Sequence, residues 1–187
     1  MFEFATRQDI ARSAARLLAE GFVLLDLETT GLDRDPGVEI VEVAILNHRG
    51  EALLNTLVRP QGRIPSQASR VHGITDADVI NAPPFEEVYE TIAGHLTGQT
   101  AVAYNYTFER SILHAVCHRH QKPPITPQRW WCAMRAYQAF IRSRGWYTLR
   151  KACARERIRI DEAHRALGDC KMTLALLYVM AAAGGSG

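Results

Sequence analysis

The chain has 187 residues, 47% of them apolar and 22% charged, a balance that fits one globular domain and excludes both a multidomain machine and a disordered chain. Its 22 Lys and Arg against 20 Asp and Glu leave a net charge of only +2, but residues 1–109 hold 8 basic against 16 acidic residues and residues 110–187 hold 14 against 4. An acidic half suits cations and a basic half suits a polyanion, so a metal-dependent enzyme acting on nucleic acid would use both. Of the basic residues 19 are Arg, whose planar guanidinium grips phosphate oxygens bidentately; a merely solvated basic face is the alternative.

Residues 6–20 place Ile10, Ala14, Leu17 and Leu18 at helical spacing, which predicts an N-terminal helix. Phe22 to Leu27 is a nearly continuous apolar run of the kind a buried central strand needs. Val38 to Leu46 and Ala52 to Val58 are two more strands, joined through Asn47-His48-Arg49-Gly50 as an antiparallel hairpin beside the first. Phe85, Val88, Ile92 and Leu96 mark a helix, followed by the short apolar strand Ala101 to Tyr104. Phe108, Ile112, Leu113 and Val116 give another helix, which Pro123-Pro124 stops, and Trp130 to Cys132 reads as the last strand. Leu167, Leu174, Leu177 and Met180 supply the apolar face of the closing helix. This order indicates an α/β layer structure with a mixed sheet. The expected organisation is a helical extension over 1–21, a catalytic domain over 22–182 and a flexible or appended tail over 183–187.

The longest apolar stretch, Leu174 to Ala183, is about half of what crosses a bilayer, and no basic start followed by an apolar run heads the chain. A cytoplasmic protein with no membrane partner is expected. Cys117, Cys132, Cys153 and Cys170 stand 15, 21 and 17 positions apart, which fits neither a zinc pair nor a disulfide framework and predicts reduced thiols.

Asp26-Leu27-Glu28-Thr29-Thr30-Gly31 ends the predicted central strand. Alternation puts Asp26 and Glu28 on one face, where two carboxylates repel unless a cation sits between them, and hard oxygen ligands suit Mg²⁺ or Mn²⁺. An idle, solvated acidic pair is the alternative. A second group is His164-Arg165-Ala166-Leu167-Gly168-Asp169. On a continuous helix five residues would splay the two side chains by about 140°, which predicts His164 in the loop before the helix and Asp169 in its first turns. There His164 could act as a base and Asp169 could complete a metal cage; a surface His and a helix-start Asp favouring the macrodipole remain open.

Together the Asp26-to-Gly31 run, Val71-His72-Gly73-Ile74-Thr75, Tyr104-Asn105-x-x-Phe108-Glu109 and His164-x-Ala166-x-x-Asp169 resemble, in the correct order, the DEDD 3′–5′ exonucleases of the His subtype. That family includes the proofreading epsilon subunit of bacterial DNA polymerase III and RNase T. The resemblance implies a ribonuclease H-like fold, a five-stranded mixed sheet flanked by helices. It also implies removal of nucleotides from a 3′ end by water under two divalent ions, Mg²⁺ or Mn²⁺. On this basis Asp26, Glu28, Glu109 and Asp169 would hold metal and His164 would be the general base. Thr29, Gly31, Leu32, His72 and Asn105 would contact the terminal nucleotide, although His72 could equally serve its own loop.

The sequence departs from the family at Glu109, where Asp is usual, and at Tyr104, where His is usual. The extra methylene of Glu109 could weaken a second metal position or shift it toward Mn²⁺, which demands less ideal geometry than Mg²⁺. DNA is the expected substrate, with RNA ends as the nearest alternative and a non-catalytic end-binding module, spoiled by Glu109, as an alternative of another class. A polymerase or repair partner is not identifiable from the sequence. Between Glu109 and His164, Trp131 and Tyr137 read as core, whereas Trp146-Tyr147, beside Gly145 and flanked by Arg142, Arg144 and Arg150, reads as a contact for single strands.

Overall fold

A computed structural model describes residues 5–159 and 165–184. The first helix, α1 (Arg7–Glu20), is opened by a capping box in which Thr6 and Asp9 satisfy each other's backbone N–H groups. It delivers the chain to β1 (Val23–Thr29), followed by β2 (Ile40–Asn47) and β3 (Ala52–Leu57). Two short helices, α2 (Ser66–His72) and α3 (Asp76–Val79), lead to α4 (Phe85–Leu96), β4 (Thr100–Ala103) and α5 (Tyr106–Arg119). Next come β5 (Arg129–Cys132), α6 (Ala133–Phe140), α7 (Leu149–Arg155) and α8 (Ala166–Ala182).

The strands form one sheet in the order β3-β2-β1-β4-β5. β2 runs antiparallel to β1 and β3, while β4 is parallel to β1 and β5 is parallel to β4. This is the five-stranded mixed sheet expected from the resemblance. The expected hairpin forms across Asn47–Ala52, with Gly50 in the left-handed region (φ 86°) that its turn requires.

Each sheet face is covered. Val23, Leu25, Leu27, Val43 and Ile45 pack against Val88, Ile92 and Leu96 of α4 and Ile112, Leu113 and Val116 of α5. On the other face Leu24, Ala44, Leu46, Val102 and Tyr104 meet α1, α6, α7 and α8. β1 and β2 are therefore buried on both sides, whereas β3 is an edge strand with three exposed positions.

α8 differs from the single apolar face expected of it. Nine of its residues are buried, from Ala166 and Gly168 to Met180, because α1 covers the side that the sheet leaves open. α1 accordingly contributes Ile10, Ala14 and Leu17 to this core. The sequence reading passed over α2, α3, α6 and α7, the longest of which has eight residues; segments this short carry too few turns for periodicity to register.

Candidate active site

β1 positions the first two carboxylates. Asp26 and Glu28 point to the face shared with Leu24, and their antiparallel neighbours on β2 are Ala44 and Glu42. The first turn of α8 brings Asp169 over the same face, as its place in the sequence predicted. Carboxylate oxygens of Asp26, Glu28 and Asp169 all lie within 4.8 Å of one another.

Glu109 arrives from the first turn of α5, which starts at the carboxyl end of β4. It stands outside that tight trio but is buried at 4% exposure, and its Oε2 has no hydrogen-bond partner among the described residues. An exposed, idle Glu109 is thereby excluded. Desolvation and the like charges of Glu28 and Asp169 push its carboxyl up to about 8. Burial, Asp169 and Glu42 do the same to Glu28, which also reaches about 8, with Arg165 opposing the shift. Asp26 is raised well above the ordinary carboxylate range by burial and by the charges of Asp169, Glu109, Glu28 and Glu42. Three carboxyls raised in this way beside Asp169, one of them with an unpartnered oxygen, form the donor set a hard divalent cation takes.

Glu42 is a fifth acid at the site. It is 3% exposed, and Arg165 neutralises it, with Nη2 2.7 Å from Oε1 and Nε 3.1 Å from both oxygens. The backbone N–H of Ala166 donates to Oε2 at 2.9 Å. The sequence reading assigned Glu42 no role, yet a lone acid within the apolar run Ile40-Val41-Glu42-Val43 is a signal, because a buried carboxylate must find a partner.

The segment after β1 is built around side-chain hydrogen bonds. Thr29 Oγ1 donates to the Gly31 carbonyl at 2.6 Å, and the Leu32 N–H donates to Asp35 Oδ2 at 2.7 Å. A Cβ at Gly31 would lie 2.7 Å from that same Asp35 oxygen, so a larger residue there would displace the Asp35 carboxylate that holds the Leu32 N–H. Leu32 is left 47% exposed beside the cluster's strand.

His72, at the end of α2, is buried, and its Nδ1 accepts the Ile74 N–H at 3.0 Å. Burial lowers its pKa against the opposing effect of a hydrogen bond to the Thr29 backbone, so the neutral ring carries its proton on the buried Nε2. Asn105 precedes α5, half-buried, and accepts the Thr107 hydroxyl at 2.7 Å. His164 lies outside the described residues. Tyr104, in place of the family's usual His, is buried and donates its hydroxyl to the Tyr147 carbonyl at 2.5 Å.

Residues 23–177 match the exonuclease family RNase_T. The chain is 31% identical, over 96% of its length and 97% of the other, to the uncharacterized exonuclease CP81 of Escherichia phage 186. It is also 31% identical to exodeoxyribonuclease 10 of Escherichia coli strain K12, over 82% of this chain and 66% of that protein. Among solved structures, exonuclease X in complex with 5′ overhanging duplex DNA is 27% identical, with a TM-score of 0.65 over 88% of this chain and 93% of the other. The chain therefore belongs to the exonuclease family, and its fold is the ribonuclease H-like one. It is accordingly an exonuclease by family, a hydrolase of phosphodiester bonds.

Proposed function

We propose that the protein removes nucleotides from the 3′ end of DNA. One observation carries this reading: in a chain of the exonuclease family, Asp26, Glu28, Glu109 and Asp169 crowd their carboxylates together, and the guanidinium of Arg165, which opposes the charge at Glu28, is engaged with Glu42. Two divalent cations, Mg²⁺ or Mn²⁺, held by these four residues would supply charge neutralisation for the attacking and leaving oxygens of the in-line displacement.

The chain's own groups divide the remaining work. His164 accepts the proton of the attacking water on a ring nitrogen, a role its near-neutral intrinsic pKa suits. Leu32 packs against the terminal base, and the segment Thr29–Gly31 bounds the nucleotide's sugar. His72, in the segment that closes over the substrate in the family, contacts the terminal nucleotide from beside the Thr29 backbone. Asn105 lies at the entrance to α5, next to the turn that carries Glu109.

DNA is favoured over RNA by two relatives, exodeoxyribonuclease 10 and the exonuclease X structure with duplex DNA. The test compares initial rates on single-stranded DNA and RNA of one sequence with Mg²⁺, Mn²⁺ or EDTA. The reading expects faster DNA shortening that EDTA stops. Faster RNA shortening would transfer the function to RNA ends.

A further inference from the structure

The loop between α6 and α7 presents an aromatic side chain that the catalytic site does not use. Trp146 is 67% exposed, the most exposed large apolar residue among the described ones. Its backbone, in contrast, is tied down on both sides. The Gly145 carbonyl accepts from Gln138 Nε2, and the Tyr147 carbonyl accepts the Tyr104 hydroxyl. Tyr147 itself is half-buried, its ring edge-on to Tyr137 with centroids 5.6 Å apart, and Tyr137 is held in turn by Glu156 at 2.6 Å. The Trp146-Tyr147 pair is thus divided: Tyr147 anchors the loop and Trp146 faces solvent.

The anchor also locates the loop. Leu24 of β1 pairs with Val102 of β4; Asp26 stands two residues further along β1, and Tyr104 follows Ala103, the last residue of β4, in the turn that leads to α5. The tyrosine holding the loop thus leaves the sheet at the carboxyl end of β4, the same end from which the first turn of α5 carries Glu109. Arg142 and Arg144, both exposed, sit on the same loop. Trp146 has no exposed large apolar neighbour on this loop, where a protein-binding hot spot would need an apolar surround. An isolated, exposed aromatic face on an anchored loop that also carries two exposed arginines instead matches a base and its flanking phosphates.

Building on the exonuclease reading, we infer that Trp146 stacks on a base of the single-stranded segment just 5′ of the nucleotide being removed, with Arg142 and Arg144 on the neighbouring phosphates. Holding the loop in place before binding leaves little ordering cost for that stack.

The test uses wild type, Trp146→Ala and Trp146→Phe. Binding of a fluorescein-labelled ten-nucleotide oligothymidylate is followed by anisotropy in EDTA, and hydrolysis is measured on that oligonucleotide and on the p-nitrophenyl ester of thymidine 5′-monophosphate. Trp146→Ala is expected to bind roughly 5- to 100-fold more weakly, from the usual size of a base–aromatic stack, and Trp146→Phe to recover most of the loss. On the oligonucleotide KM should rise with kcat retained, while the single-nucleotide ester is hydrolysed as by wild type. Unchanged anisotropy in Trp146→Ala, or an equal loss on ester and oligonucleotide, would overturn the inference. A wild type that cleaves neither substrate would instead remove the exonuclease reading, and the anisotropy comparison would still decide the role of Trp146.

Discussion

Arg165 and Glu42 join the entrance of α8 to the centre of the sheet: the guanidinium closes on both carboxylate oxygens, and Glu42 is the cross-strand neighbour of Glu28. The pair neutralises a fifth acid beside a site that already holds four carboxyl groups. It also fixes the turn that carries Asp169 and that His164 directly precedes in the chain.

Breaking this pair should be worse than removing it. Glu42 is 4% exposed at its side chain but Arg165 is 47% exposed, so Arg165→Ala should cost roughly 2–3 kcal/mol, below the roughly 3–5 kcal/mol of a fully buried pair. For a chain of this size that lowers the melting temperature by about 4–12 °C. The Glu42→Ala/Arg165→Ala double variant should be less destabilised than the sum of the two single changes, because no unpaired charge is left. Strict additivity in thermal melts would contradict the pairing.

Without metal, stability should fall as pH rises. Glu28 and Glu109 reach about 8 in the folded chain, above the ordinary 4.5, so between those values the folded state holds more protons than the unfolded state. Their contribution is complete below about pH 4.5 and disappears as pH passes 8. Melting temperatures in EDTA should therefore decline from pH 6 to pH 9. Mn²⁺ or Mg²⁺ should cancel much of the decline, with a stabilisation that grows with pH, since the ligands must be deprotonated to bind. A metal effect that shrinks with rising pH would contradict this.

Asp26→Asn and Asp169→Asn should each abolish cleavage by removing a ligand, and each should raise the melting temperature in EDTA by relieving like-charge crowding. Metal-induced stabilisation should disappear in the same variants. Thermal melts with and without Mn²⁺, run beside activity assays, check both halves.

The strands, the antiparallel hairpin and the pairing of Asp26 with Glu28 on one face were legible because a period of two and a continuous apolar run are local signals. The placement of Asp169 in a first helical turn was legible for a similar reason, from the five-residue spacing to His164. Glu109 was less so: its helix could be read, but its burial against three other acids depends on where β1, α5 and α8 converge. The Arg165–Glu42 pair links residues 123 positions apart, and the anchoring of Tyr147 by Tyr104 links residues 43 apart. Contacts of that separation leave no periodic trace. Trp146 and Tyr147 look equivalent in the sequence, and only the packing of one ring on Tyr137 separates them.

Glu109 should tune the metal preference. Glu109→Asp shortens the arm by one methylene and should raise the rate with Mg²⁺ relative to that with Mn²⁺, because Mg²⁺ tolerates less distortion of its octahedron. Glu109→Gln should lower the rate with both. A wild type that binds 3′ ends without turnover and gains cleavage only as Glu109→Asp would make the natural chain an end-binding module.

The most direct measurement is shortening of one single-stranded DNA, labelled at its 5′ end or at its 3′ end, by wild type and by Asp169→Asn. The account predicts a ladder of 5′-labelled products descending one nucleotide at a time, immediate release of the 3′ label as mononucleotide, and neither in EDTA or with the variant. Release of the 5′ label first, or equal shortening by Asp169→Asn, would contradict a four-carboxylate centre working from the 3′ end.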